Sequence, residues 1–106
     1  MPDKSPRRLM LERSLADDPG DAFLRYGLAM QCLRDGDVAE GRDRLRGLIA
    51  DDPGQIAAYQ QLGQSYADEG EVDEAAVVLR KGIEQARKSG DWHAAAEMEH
   101  ILESLS

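Results

Sequence analysis

A chain of 106 residues is long enough for one continuous core and too short for a catalytic domain with a second lobe. Its formal charge of −8 repels phosphate backbones, which argues against nucleic acid as a partner, and it holds no run of about 18 apolar residues that would cross a membrane as a helix. Charged residues at 32% and aromatics at 5% suit a helical protein with a solvated exterior and small aliphatic side chains inside.

The stretch from Met1 to Leu15 carries Asp3, Lys4, Arg7, Arg8, Glu12 and Arg13 and lacks the apolar core of a secretory signal. Together with a single cysteine, Cys32, which has no partner for an internal disulfide, this gives a cytoplasmic expectation. The first helix is predicted over residues 5–16: Ser5 followed by Pro6 makes an N-cap and first-turn pair. Asp17-Asp18-Pro19-Gly20 then stops the helix and turns the chain, because a proline biases the residue before it away from helical angles. Helices follow over residues 21–34 and 37–50, separated by Gly36, which takes the left-handed angle after a helix. Asp37 and Glu40 have capping-box spacing and put acid at the positive end of the helix dipole.

The next two segments, residues 55–68 and 71–88, repeat this pattern. Tyr59, Leu62, Gly63, Tyr66 and Ala67 form an i, i+3, i+4, i+7, i+8 stripe, and Val72, Ala75, Ala76, Leu79 and Ile83 form its partner. Ala16-Asp17-Asp18-Pro19-Gly20 recurs letter for letter as Ala50-Asp51-Asp52-Pro53-Gly54, 34 positions later. Gly36-Asp37 and Gly70-Glu71 keep the same interval, as do Leu28, Val38, Leu45 and Ile49 with Leu62, Val72, Leu79 and Ile83. A shared offset across turn and core residues marks an internal repeat.

A last helix is predicted over residues 91–104, out of register. Strict 34-residue counting turns His93, Glu97 and His100 toward the core, whereas periodicity gives Ala94, Ala95, Met98, Ile101, Leu102 and Leu105 one apolar face with the three polar residues opposite. Periodicity follows burial directly, so a capping helix with one polar side is expected. Trp92 falls off the apolar face and is left between a packing role and an interface.

These residues resemble the tetratricopeptide repeat. Tyr59, Leu62, Gly63, Tyr66, Gly70, Ala75 and Leu79 fall on the family's signature spacing, with the closing proline present as Pro53 one repeat earlier. The preceding repeat is more degenerate, with Arg25 where a bulky residue is usual, Cys32 where tyrosine is usual and Gly41 where alanine is usual. The resemblance implies an all-α fold of about six helices, antiparallel hairpins stacked as a short right-handed superhelix. As one domain over 1–106, it would comprise a half repeat (5–16) with Leu11 and Leu15 facing inward, two full repeats (22–55 and 56–89) and a C-terminal capping helix (91–104).

It also implies a scaffold without catalytic activity or cofactor, binding an unidentified protein or peptide on the concave face lined by the first helix of each pair. By position, that face presents Phe23, Tyr26, Met30, Leu33 and Arg34 from one repeat and Gln60, Gln64 and Asp68 from the next, with His93 and His100 beyond. The apolar members carry two readings, an anchoring patch or simple core, since a nearly all-apolar helix is usually a buried one. A homodimer through Phe23 and Tyr26, or through the terminal helices, is the alternative to a separate ligand. One subfamily grips C-terminal carboxylates through groove asparagines; this chain has no asparagine and reads Gly27, Met30, Gln61 and Gln64 at the matching positions, so that mode is not expected.

Catalytic and metal chemistry find little support. His93, Glu97 and His100 project from one side of a helix at a spacing that suits zinc, but no second ligand segment accompanies them. Cys32 shares a stripe with Leu28 and Ala29 and reads as a small buried thiol. Arg42, Arg44 and Arg46 are interrupted by Asp43, with Arg44 about 200° around the helix from the others, so they read as a solvated face.

Overall fold

A computed structural model describes residues 3–105. Among them the chain forms six helices and no strand: α1 (Pro6–Asp17), α2 (Ala22–Arg34), α3 (Val38–Asp51), α4 (Ile56–Asp68), α5 (Val72–Ser89) and α6 (Trp92–Glu103). The boundaries differ from the expected ones by a residue or so at each end, and the caps give the reason. Ser5 is the expected N-cap of α1, and Asp21 and Asp91 are N-caps too and not first helical residues; the three side chains accept from the backbone N–H groups of Arg8, Leu24 and Ala94. Asp37 does the same for Glu40 at 3.4 Å, but the Glu40 carboxylate turns elsewhere, so only half of the capping box forms.

Three turns share one geometry. Gly36, Gly70 and Gly90 have φ of 84°, 73° and 78°, the left-handed region that a Cβ disfavours. Beyond each, the N–H of Asp37, Glu71 or Asp91 reaches back to the carbonyl of Cys32, Tyr66 or Ala86 at 2.8–2.9 Å, which satisfies a carbonyl at the helix end. The helices do not keep a constant period. α2 starts at Ala22 and α4 at Ile56, 34 positions on, but α6 starts at Trp92, 36 positions on: α5 runs for 18 residues where α3 runs for 14, and the turn after it, 90–91, is two residues shorter than the turn 52–55. The two extra positions bring Ala95 and Met98 to the register of Tyr59 and Leu62, and both are buried. His93, Glu97 and His100 are exposed, as periodicity requires.

The chain divides into two compact units, one ending at Leu48 and one beginning at Ile49. In the first, Leu28, Ala29, Cys32, Leu45 and Leu48 form a fully buried core. Gly41 is buried beneath Leu33: a Cβ there would meet Leu33 Cδ2 at 2.6 Å, so the branched tip of Leu33 fills the place of the alanine usual at this position. α1 packs on α2, with Leu11 Cδ2 3.7 Å from where a Cβ on Gly27 would lie.

The second unit has its core in Ala58, Tyr59, Leu62, Tyr66, Ala75, Leu79, Ile83, Ala86, Ala95 and Met98. Gly63 lets Leu79 approach to 2.6 Å from its missing Cβ. Gly82 admits both Tyr59 of α4 and Met98 of α6, each 2.6 Å from the position of its absent Cβ. The Tyr59 hydroxyl donates to the Pro53 carbonyl at 3.0 Å and so ties the turn that carries the proline to the core.

Candidate protein-interaction surface

α2 is less uniformly buried than its apolar sequence suggests. Leu28, Ala29, Gln31 and Cys32 are buried, Tyr26, Met30 and Leu33 are half-buried, and Phe23 and Arg34 are exposed. Phe23 stands out at 85% exposure. Phe23, Tyr26 and Met30 lie at i, i+3 and i+7 and share one side of the helix. Leu33 belongs to the edge of the core instead, since its tip covers Gly41. The apolar side chains of α2 thus divide by residue, Leu28 and Leu33 on the core side and Phe23 in water.

On α4, Gln60, Gln64 and Asp68 follow one another at i, i+4 and i+8. Gln64 donates to Asp68 at 2.8 Å, and Gln60 reaches Glu97 of α6 at 2.9 Å. Glu97 also pairs with His93. Gln60, His93, Ala96, Glu97, His100 and Ile101 line an open groove of about 410 Å³ with an apolar floor and hydrogen-bonding edges. Among the described residues, no cluster of histidine, cysteine and carboxylate side chains has the arrangement a metal ion needs. Trp92, 65% exposed, packs little of its ring against the protein.

The least expected residue is Arg8. It is 1% exposed, and its Nη2 meets Asp37 Oδ2 at 3.0 Å and Glu40 Oε1 at 2.9 Å. Its Nε and Nη1 are buried without a hydrogen-bond partner. Beside it, Ser5 donates through both its hydroxyl and its N–H to Asp35 Oδ2, at 2.8 and 3.2 Å. The sequence presents Arg8 as one of several N-terminal charges, yet the signal was there: Arg8, Leu11 and Leu15 lie at i, i+3 and i+7, so the arginine continues the inward stripe. Cys32 borders this cluster, its thiol 3.5 Å from Glu40 Oε2. Burial pushes that thiol up to about 11, and Glu40 adds to the effect against the opposing charge of Arg8. Such a thiol is not a nucleophile near neutrality.

Two comparisons decide the family. The tetratricopeptide repeat family model matches residues 33–98, and a TPR repeat-containing protein of Pseudomonas aeruginosa is 30% identical over 95 residues, 90% of each chain. The chain belongs to the tetratricopeptide repeat family. Tetratricopeptide repeats are typically modules that bind other proteins and lack catalytic activity. A tetratricopeptide repeat domain protein from Salinibacter ruber, solved by NMR, superposes with a TM-score of 0.79 at 28% identity, covering 84% of this chain and 90% of that one. A protein from Bordetella parapertussis shares the fold, with a TM-score of 0.83 at 23% identity over 95% of this chain and 88% of that one. The mouse interferon-induced protein with tetratricopeptide repeats 3 is 28% identical across 90% of this chain, which spans 24% of its length.

Proposed function

We propose that this tetratricopeptide repeat protein is an adaptor that captures a segment of another protein on the surface of its first-type helices, the face expected to be concave. On α2 the anchors are Phe23, Tyr26 and Met30, with Leu33 supporting them from the core and Arg34 at the rim. On α4 they are Gln60, Gln64 and Asp68. The observation that carries the reading is Phe23, 85% exposed beside half-buried Tyr26 and Met30. A large aromatic left in water next to partly covered apolar neighbours is the composition of an interface anchor. The absence of asparagine speaks against a carboxylate-gripping mode.

Co-purification from native extract, followed by capture with Phe23→Ala, Tyr26→Ala and Met30→Ala variants, tests this. Weakened capture with unchanged helicity supports the adaptor; undiminished capture by all three sinks it. The exposure of Phe23 also favours a second reading, a homodimer in which this ring meets its copy. Light scattering over a range of concentrations separates the two, since a monomer at high concentration removes the homodimer.

A further inference from the structure

A second groove lies between α5 and α6. It measures about 480 Å³ and is bordered by Arg80, Glu84, Arg87 and Lys88 on α5 and by Glu99 on α6, with Ile83 and Leu102 at its floor. Arg80, Ile83, Glu84, Arg87 and Lys88 follow i, i+3, i+4, i+7 and i+8, so the α5 wall is one continuous helical stripe more than two turns long. The groove is thus elongated along a helix, apolar at the base and charged at the rim.

Its charge runs against that of the protein. The chain carries −8, yet three cations stand here against two carboxylates. Arg87 pairs with Glu99, and Lys88 with Glu84 at 3.3 Å, but all four side chains are well exposed, so these pairs hold weakly and exchange readily. Arg87 and Lys88 also complement the negative end of α5, which accounts for part of their presence. That account does not extend to Arg80, which lies in the middle of the helix, is exposed and has no side-chain partner among the described residues.

We infer that this groove docks an acidic amphipathic helix of a partner protein, its apolar side chains on Leu102 and the small exposed edge of Ile83 and its carboxylates toward Arg80, Arg87 and Lys88. Helix-in-groove recognition needs this combination of an apolar floor and a rim of opposite charge. A second copy of the chain fits less well through α1, whose exposed Leu9 and Met10 are flanked by Arg7 and Arg13 and would bring cations onto cations. The site is separate from the first-type helices of the adaptor reading and does not depend on it.

Amide NMR titrations with two synthetic peptides test the inference. Both are 14-residue helices with leucine and alanine on one face; one carries glutamate elsewhere and the other lysine. The acidic peptide is expected to shift the Arg80, Ile83, Arg87 and Leu102 signals saturably, at least tenfold more tightly than the basic one. A Arg80→Glu, Lys88→Glu variant, with helicity checked by circular dichroism, is expected to reverse that preference. The inference fails if neither peptide moves these signals at millimolar concentration, or if both bind equally. It fails equally if the shifts arise on concentrating the protein alone, which would assign the groove to a second copy.

Discussion

Arg8 Nη2 and Asp37 Oδ2 are joined at 3.0 Å across the start of α1 and the turn before α3, with the arginine side chain all but removed from water. The pair, with Glu40, takes the place an apolar contact would fill on the Leu11–Leu15 stripe. An ionic contact of this kind fixes position more than it adds stability, because desolvating the charge offsets most of the attraction.

Arg8→Ala is therefore expected to destabilise the protein by roughly 2–4 kcal/mol, since it removes the buried stem and leaves Asp37 and Glu40 without their shared cation. Arg8→Met keeps the stem and removes the two partnerless N–H donors, so its cost is expected to be less than half as large. Urea unfolding of both variants checks this, and equal losses would show that the ion pair, not the stem, dominates.

Acid acts on the same region. The Arg44 bond, ahead of those from Cys32 and Arg8, holds the Glu40 carboxyl below its usual value, and the bond from Gln31, ahead of those from Ser5, does the same for Asp35. Both bind protons less readily folded than unfolded, so their contribution is complete above the unfolded values of about 4 and is lost as pH falls through the lower folded ones. The urea midpoint is expected to fall steeply below about pH 4, and less steeply in an Asp35→Asn, Glu40→Gln variant.

Gly82 sits where α4, α5 and α6 meet, and the atoms that would oppose a new methyl include the Tyr59 Cβ, which cannot swing aside. Gly82→Ala is expected to cost about 1–3 kcal/mol through overpacking. Gly20→Ala, with nothing within 4 Å of the new carbon, is the control and is expected to stay within about 0.5 kcal/mol of the parent. Thermal unfolding followed by circular dichroism separates them.

Cys32 is fully buried, with its thiol raised to about 11. A thiol-reactive disulfide reagent at pH 8 is expected to leave the native protein unmodified over the time in which it modifies the urea-unfolded chain completely. Fast labelling of the native protein would show that α1 opens readily.

Much of the architecture was legible in the chain. The repeated Asp-Asp-Pro-Gly segments, the glycines at the turns and the apolar stripes act within a few residues of one another, and local backbone sterics and helical periodicity suffice to read them. The last helix, α6, shows periodicity outperforming repeat counting: burial acts on Ala95 and Met98 whatever the distance from the previous repeat, and a longer α5 followed by a shorter turn is what displaced the count. The candidate surface was only partly legible. The chain lists Phe23, Tyr26, Met30 and Leu33 alike as large apolar residues of one helix, and only their neighbours separate exposed Phe23 from Leu33 over Gly41.

Arg8 marks the boundary most sharply. The sequence by itself determined the six helices, their turns and the family, because each depends on residues close together in the chain or on a repeated spacing. The spacing to Leu11 and Leu15 places Arg8 on the inward stripe, but tertiary structure decided that its charge could stay there, because its partners Asp37 and Glu40 lie about thirty residues away and only folding brings their carboxylates within 3.0 Å of it. Without that compensating charge, burial of the guanidinium would be too costly to persist.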